Sequence, residues 1–336
     1  MHGFQRKLTV VSFLIVLSSC SSNNGLRKFD EKDLDKATSV DLAKKFEVKD
    51  VGDSTTASAP TPVLLGELPK MKQKVKKKKH SKAEVQAVTE ATPTPGLIPP
   101  SRRKDPMPFE VGENLEYGIR YVGVTAGYFN LTLLPLKQLN DRKVFHIQAN
   151  VKTVKLFELV YRVNDVVESF WDYDGLYSHK FTMDLDESKQ NRKLIELYDY
   201  EKKESYYWNR VDHVEKGFSE KKEHYDIELW SQDPISMLYY LRVLNLPKDP
   251  AVETKVSFIL DGKPWVGALR FLKKENIYAG GKNRDANAYS MVNSQNGEVK
   301  NKDNTVWISD DEHRYILRVE TKVKVGSFAV VLDKVL

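Results

Sequence analysis

The run Arg314-Tyr315-Ile316-Leu317-Arg318-Val319-Glu320-Thr321-Lys322-Val323-Lys324-Val325 decides the fold. Tyr315, Leu317, Val319, Val323 and Val325 fall on one parity, and Arg318, Glu320, Lys322 and Lys324, with Arg314, on the other. That is the period of a strand with one face buried and one face in water. The same alternation recurs in Leu115, Tyr117, Ile119 and Tyr121 around Glu116 and Arg120, and in Phe145, Ile147, Ala149 and Val151. Turn signals divide these runs: Gly123 to Gly127, Asp174-Gly175, Asp261-Gly262, Gly280-Gly281, Asn296-Gly297 and Gly326. The spacing predicts about ten to twelve strands in an antiparallel sheet, because parallel neighbours would need crossover helices that this region lacks.

One helix is expected within residues 233–245. Asp233 suits the N-cap and Pro234 the first turn, Met237, Leu238, Leu241 and Leu244 share a face, and Asn245 and Pro247 stop it. A single amphipathic helix in a β-rich domain fills the concave face of a curved sheet. A second apolar stretch, Leu156-Phe157-Glu158-Leu159-Val160-Tyr161, fits a strand or one helical turn, and the strand is the preferred reading.

The N-terminus has a cationic start at Arg6 and Lys7, an apolar segment from Leu8 to Leu17, and then Leu17-Ser18-Ser19-Cys20, which holds the chain's single cysteine. That order is a secretory signal peptide, and its apolar run falls well short of the roughly 20 residues that span a bilayer. The tetrad resembles the lipobox of bacterial lipoproteins, which implies removal of residues 1–19 and diacylglycerol and palmitate acylation of Cys20. Ser21 is not the aspartate of an inner-membrane retention signal, so the expected location is the outer membrane, facing the periplasm. Acylation leaves no free thiol, which removes thiolate metal sites and cysteine nucleophiles.

Residues 20–104 read as a disordered tether, within which a short helix around Lys32 to Lys45 is possible. They include seven of the fourteen prolines and lack sustained periodicity, so they bury too little apolar surface to offset ordering entropy. A coil of that length spans about 50 Å. Within it lie Lys70, Lys72, Lys74, Lys76, Lys77, Lys78, Lys79 and Lys82, an electrostatic grip for an anionic cell-wall polymer or surface. From residue 21 to 104 there are 18 Lys and Arg against 11 Asp and Glu, a balance of +7; from 105 to 336 there are 33 against 36, a balance of −3. The basic character therefore belongs to the tether, and the export signal argues against nucleic acid as a partner.

Residues 105–336 form the β-rich globular domain. Pro108-Phe109-Glu110-Val111-Gly112-Glu113-Asn114-Leu115-Glu116-Tyr117, then Asp233-Pro234-Ile235-Ser236-Met237-Leu238-Tyr239-Tyr240-Leu241-Arg242, then Val306-Trp307-Ile308-Ser309-Asp310-Asp311 form an ordered set of three landmarks. Together they resemble the bacterial "domain of unknown function 3108" family. The resemblance implies an exported envelope protein with a large curved antiparallel sheet, an open or half barrel like those of lipoprotein carriers, and it carries over no catalytic residue.

No histidine pair has a metal-ligand spacing, and neither a metal nor a cofactor is expected. His146, His179, His213, His224 and His313 read as solvated. Asp310, Asp311 and His313 are the densest acid and imidazole cluster, the candidate centre of a hydrolase, although three successive acids suit a solvated turn better. Tyr198, Tyr200, Tyr207, Trp208 and Trp230, with Met237, Leu238 and Leu241 of the helix, are the candidate groove for a lipid or envelope glycan. The leading expectation is a non-enzymatic lipoprotein that binds an amphipathic envelope component, and the alternative is a cell-wall or protein-recruiting adaptor.

Overall fold

The computed structural model describes residues 26–29, 39–51, 100–322 and 327–336. Cys20, the signal segment and the lysine block at 70–82 lie outside the described residues, as do Val323 and Val325 of the opening run.

The alternating segments are strands. In chain order they are β1 (Val48–Asp50), β2 (Asn114–Tyr121), β3 (Val124–Leu139), β4 (Arg142–Thr153), β5 (Asn164–Asp172), β6 (Ser178–Asp186), β7 (Gln190–Asp199), β8 (Glu204–His213), β9 (Gly217–Asp226), β10 (Glu253–Leu260), β11 (Lys263–Ala279), β12 (Lys282–Gln295), β13 (Glu298–Ser309), β14 (Ile316–Lys322) and β15 (Ser327–Val335). They form one mainly antiparallel sheet in the order β10-β11-β12-β13-β14-β15-β2-β3-β4-β5-β6-β7-β8-β9, with β1 added beside β3. The count exceeds expectation because several turns use left-handed residues other than glycine, such as Asn140 (φ 50°), Asp141 (φ 57°) and Lys203 (φ 56°). Such turns carry no glycine signal in the sequence.

The sheet is not closed into a barrel. Among the described residues β9 and β10 do not pair with each other. The seam between them is spanned by a parallel bridge of Gln232 to Phe258 and by an Arg192–Asp261 ion pair of 2.8 Å. Gly262 turns the β10–β11 hairpin at φ +74°, and a Cβ there would collide with the Tyr225 ring of β9. Glycine thus serves both the backbone conformation and the close approach.

Side chains from strands far apart in that order meet in one core: Tyr207 of β8, Ile259 of β10, Ala279 of β11 and Leu332 of β15 share a cluster with Phe109 and Trp171. A sheet brings such strands together only by curving round the cluster. The second core, which includes Val256, Phe258, Leu269 and Ile308, spans β10 to β14.

The helix expected at 233–245 is α3, here regular over Ser236–Val243. It sends Tyr239 into the first core and Met237 and Leu241 into the second. Its start is held by Asp233, whose carboxylate accepts from the backbone N–H of Ile235 and Ser236, both at 2.8 Å.

Two expectations are corrected. Residues 156–161 are not a strand: α2 (Lys155–Glu158) is one helical turn with no buried residue, and Leu156, Leu159 and Val160 are exposed. Of this stretch only Tyr161 reaches a core cluster, that of Ile119, Val151 and Val163.

The tether at 20–104 also does not stay apart from the domain over its whole length. α1 (Val40–Lys45) is capped by Ser39, and β1 pairs Val48 with Leu139 and Asp50 with Lys137. Phe46 is 3% exposed and packs with Leu139, Val144, Phe170, Ile195, Leu197, Tyr206 and Trp208. These partners lie on the face of β4, β5, β7 and β8 opposite the first core, whose members there are Phe145, Trp171, Leu194 and Tyr207. Apolar side chains on both faces of those strands need cover on both, and the N-terminal stretch supplies the outer one.

Phe46→Ala is expected to destabilise the protein by about 3 kcal/mol, measured by denaturant unfolding. A stretch that only tethers would give no change.

Candidate functional site

Of the eight candidate groove residues, Tyr198, Tyr200 and Tyr207 are buried in the first core, against which Trp230 and Leu238 pack from partly buried positions. Met237 and Leu241 belong to the second core, and Trp208 lies on the other face of β8 beside Phe46. Alternation on β8 dictates that split, since Tyr207 and Trp208 are successive and point to opposite faces. The rings that do meet fill space: Trp230 packs on Tyr177 at 4.6 Å and on Tyr200 at 5.1 Å, and Tyr200 donates its hydroxyl to the carbonyls of Ser178 and Ser231. The eight residues do not line a common groove.

The tightest polar assembly surrounds α3. Asp233 is fully buried, and its carboxylate accepts from Ser169 Oγ and Ser178 Oγ besides the two helix amides. Burial pushes its pKa up against those hydrogen bonds. Beside it Gln232 accepts from Trp171 Nε1 at 2.9 Å and donates to the Leu176 carbonyl at 2.8 Å.

At the other end of the helix Arg242, 2% exposed, donates to Glu113 Oε1 (2.5 Å) and Oε2 (2.8 Å), to the Pro108 carbonyl (2.8 Å) and to the His313 carbonyl (3.0 Å). The rings of Phe109, Tyr239 and Tyr315 lie 5.1 to 5.2 Å from its guanidinium carbon. Burial opposes the charge, and the Glu113 carboxylate outweighs it and raises the Arg242 pKa. Sequence reading missed this pair. Its only trace is that Glu113 and Arg242 stand in the first two landmarks and His313 lies two residues past the third.

The acidic cluster does not converge. Asp310 is engaged by Lys248 (2.6 Å), Lys274 (2.9 Å) and Asn287 (3.0 Å), and these partners hold its carboxyl well below the usual range. Asp311 accepts from Ser309 and the Arg314 amide and pairs with Arg284. His313 is half exposed and stacks on Tyr315, with Glu312 at 3.7 Å. Among the described residues no three His, Cys, Asp or Glu side chains come together as a metal site.

Two histidines are not solvated. His146 is 8% exposed, stacked on Phe170 and bonded to Glu168 at 2.8 Å; His179 is 4% exposed and bonded to Asp172 at 2.9 Å. His146 shares the outer parity of β4 with Val144 of the third cluster, and His179, at the start of β6, is enclosed by Asp172 and the Tyr177 ring. Asp172 also accepts from Arg142. Burial works against its ionisation, but the bonds from Arg142 and His179 prevail and hold the carboxyl well below its ordinary range.

Asp165, Glu187 and Glu196 are perturbed the other way, as Asp233 is. Burial pushes Asp165 up to about 8, with Glu187 adding to it, and Asp165 Oδ2 has no hydrogen-bond partner. Burial likewise takes Glu196 to about 8, with a contribution from Asp261.

A β-domain whose single sheet curls round its own helix and hydrogen-bonded core is the class that this geometry defines. The model of the family described as "Protein of unknown function (DUF3108)" matches residues 116–333, and the chain belongs to that family. No curated protein matches it. Among solved structures it is similar to a β-barrel-like protein of domain of unknown function DUF1849 from Brucella abortus, at 9% identity and TM-score 0.41 over 67% of this chain and 97% of that one. It is also similar to a candidate lipoprotein from Parabacteroides distasonis (11% identity, TM-score 0.31, 68% of this chain and 97% of that one). A third similar structure is a candidate exported protein with a YmcC-like fold from Bacteroides fragilis (9% identity, TM-score 0.29, 68% and 98%).

The opposed shifts set the pH dependence of stability. Asp165 and Glu196 have folded pKa values raised above the unfolded values of about 4. Their contribution is present below pH ~4 and is lost as pH rises to about 8. Asp172 has a depressed folded pKa, so its contribution is present above pH ~4 and lost in acid. Thermal melting across pH is expected to peak near about pH 5, and Glu196→Gln is expected to raise the melting temperature at about pH 8 by roughly 5 °C with little effect at the peak.

Proposed function

We propose that this chain is a non-enzymatic lipoprotein adaptor of the cell envelope, acylated at Cys20 and held on the periplasmic face of the outer membrane. The lysine-rich stretch at 70–82 makes electrostatic contact with an anionic polymer such as cell-wall glycopeptide. The observation that carries the reading is the interior: the residues best suited to line a ligand groove are divided among three clusters, two of them packed between sheet and helix and the third, with Trp208, on the other face of the sheet. A domain with a filled interior acts through its surface and its appended segments.

The flanks of the lysine-rich stretch support the same reading. On the N-terminal side, β1 is hydrogen-bonded to β3 near the β3–β4 turn. On the C-terminal side, Arg102 and Arg103 donate their amides to Asp174 in the β5–β6 turn, at the same end of the sheet. Residues 52–99 are thus flanked on both sides by described residues at one end of the sheet. Their 48 residues set the outer limit of the lysines' reach at roughly 80 Å from that end.

The reading is tested in two arms. Metabolic palmitate labelling and membrane retention are expected to be lost in Cys20→Ser. Replacing the eight lysines by glutamine is expected to cut co-sedimentation with isolated cell-wall sacculi at low salt by about ten-fold or more, with the fold unchanged. Undiminished sedimentation, or stoichiometric lipid extracted from the purified domain, would contradict it.

A further inference from the structure

The strand ends divide into two sets. At one end lie the β2–β3 turn, the β4–β5 connection with α2, the β6–β7 turn and the β8–β9 turn. Tyr121 pairs with Val124, Thr153 with Gly127, Asp186 with Asn191, and His213 with Gly217, each the last or nearly the last rung of its ladder. The Val154 amide donates to the Ala126 carbonyl, which sets α2 beside the β2–β3 turn.

This corner exposes aliphatic side chains: Val122 (62%), Val124 (56%), Leu156 (76%), Leu159 (79%) and Val160 (52%). Around them Lys152, Lys155 and Lys322 are exposed and make no ion pair among the described residues, and Glu158 is the only acid on α2. Aliphatic tips within a cationic surround match the boundary of an anionic bilayer, where acyl chains take the tips and phosphates the ammonium groups.

The chain's own N-terminus leads to the same end. The Arg27 amide donates to Asp212 Oδ2 at 2.8 Å, and its carbonyl accepts from Asn191 at 2.9 Å. Its guanidinium lies over Phe218, on which Phe29 also packs. Asn191, Asp212 and Phe218 are successive partners across β7, β8 and β9, one residue from the strand ends. Six residues, Ser21 to Leu26, separate Cys20 from Arg27, so an acyl group on Cys20 lies at most roughly 25 Å from this end.

We propose that this end is the membrane-facing end, with Val122, Val124, Leu156, Leu159 and Val160 inserted into the headgroup boundary of an anionic phospholipid bilayer and Lys152, Lys155 and Lys322 on its phosphates. The proposal rests on the anchored reading for its orientation and on the exposed corner for its contact. It sets the domain directly on the membrane, with the described residues that flank the lysine-rich segment at the opposite end.

The test uses the chain from Ser21 to Leu336, which holds every described residue and has no cysteine. Without Cys20 its result is separate from that of palmitate labelling: each can fail while the other stands. An environment-sensitive dye on Leu156→Cys or Val124→Cys is expected to shift to the blue and brighten with vesicles of phosphatidylethanolamine and phosphatidylglycerol. On Tyr278→Cys, which is exposed at the opposite end, no change is expected.

Leu156→Asp with Leu159→Asp is expected to reduce co-sedimentation with those vesicles by about ten-fold or more. Both sites are exposed, so melting temperature should be unchanged and loss of binding will not be loss of fold. Equal dye response at both ends, no response at either, vesicle binding that survives the double substitution, or a dimer that the double substitution dissolves would each overturn the proposal.

Discussion

One guanidinium holds together parts of the chain that are far apart in sequence. Arg242 leaves the last turn of the helix and donates to a carboxylate 129 residues earlier and to a carbonyl 71 residues later. A buried charge of this kind is tolerated only when partners meet it on every side, so the entry to β2, the end of the helix and the β13–β14 turn have to be placed together. The first two landmarks meet in that requirement, and the His313 carbonyl that completes it lies two residues past the third. At the other end of the helix Asp233 does the same with neutral partners, joining β5 and β6 through Ser169 and Ser178. The helix is thus fixed at both ends by buried polar groups and on its flanks by two cores.

That arrangement fills the concave side of the curved sheet from within the chain. The concave face of an open sheet exposes apolar surface unless something fills it, and here Tyr239, Trp171, Phe109 and their neighbours do so from the chain itself. The buried acids Asp165 and Glu196 fit the same picture: burial pushes them up, with Glu187 adding to the first and Asp261 to the second. The two kinds of charge regulation, raised in these acids and lowered in Asp172, belong to stability.

The strands were most legible where one parity is apolar, as in β2 and β14, and the helix because Asp233 and Pro234 announce its start. The candidate groove was not legible, because a list of aromatics says nothing about parity across strand ends: Tyr207 and Trp208 are neighbours in sequence and face opposite sides of the sheet. Arg242 was hidden for a different reason, since the residues that satisfy it are remote and no local period encodes them. The docked N-terminal stretch was hidden by a change of period within ten residues. Leu42 and Phe46 are one helical turn apart, Phe46 and Val48 are two strand positions apart, and charged residues surround all three. The signals were present in part, since Ser39, Asp41, Lys44 and Lys45 form a capped and correctly polarised turn.

The place of the N-terminal stretch decides the orientation of the molecule. If residues 26–51 belong to the fold, the span between lipid and domain is a few residues and the lysine-rich segment is a loop held at both ends. If they do not, the domain hangs on a long leash. Amide hydrogen exchange followed by peptide mass spectrometry on the mature chain distinguishes the two most directly. Protection of Val48–Asp50 comparable with that of neighbouring β3 is the expected result, and exchange of those amides at the rate of an unstructured peptide would contradict it.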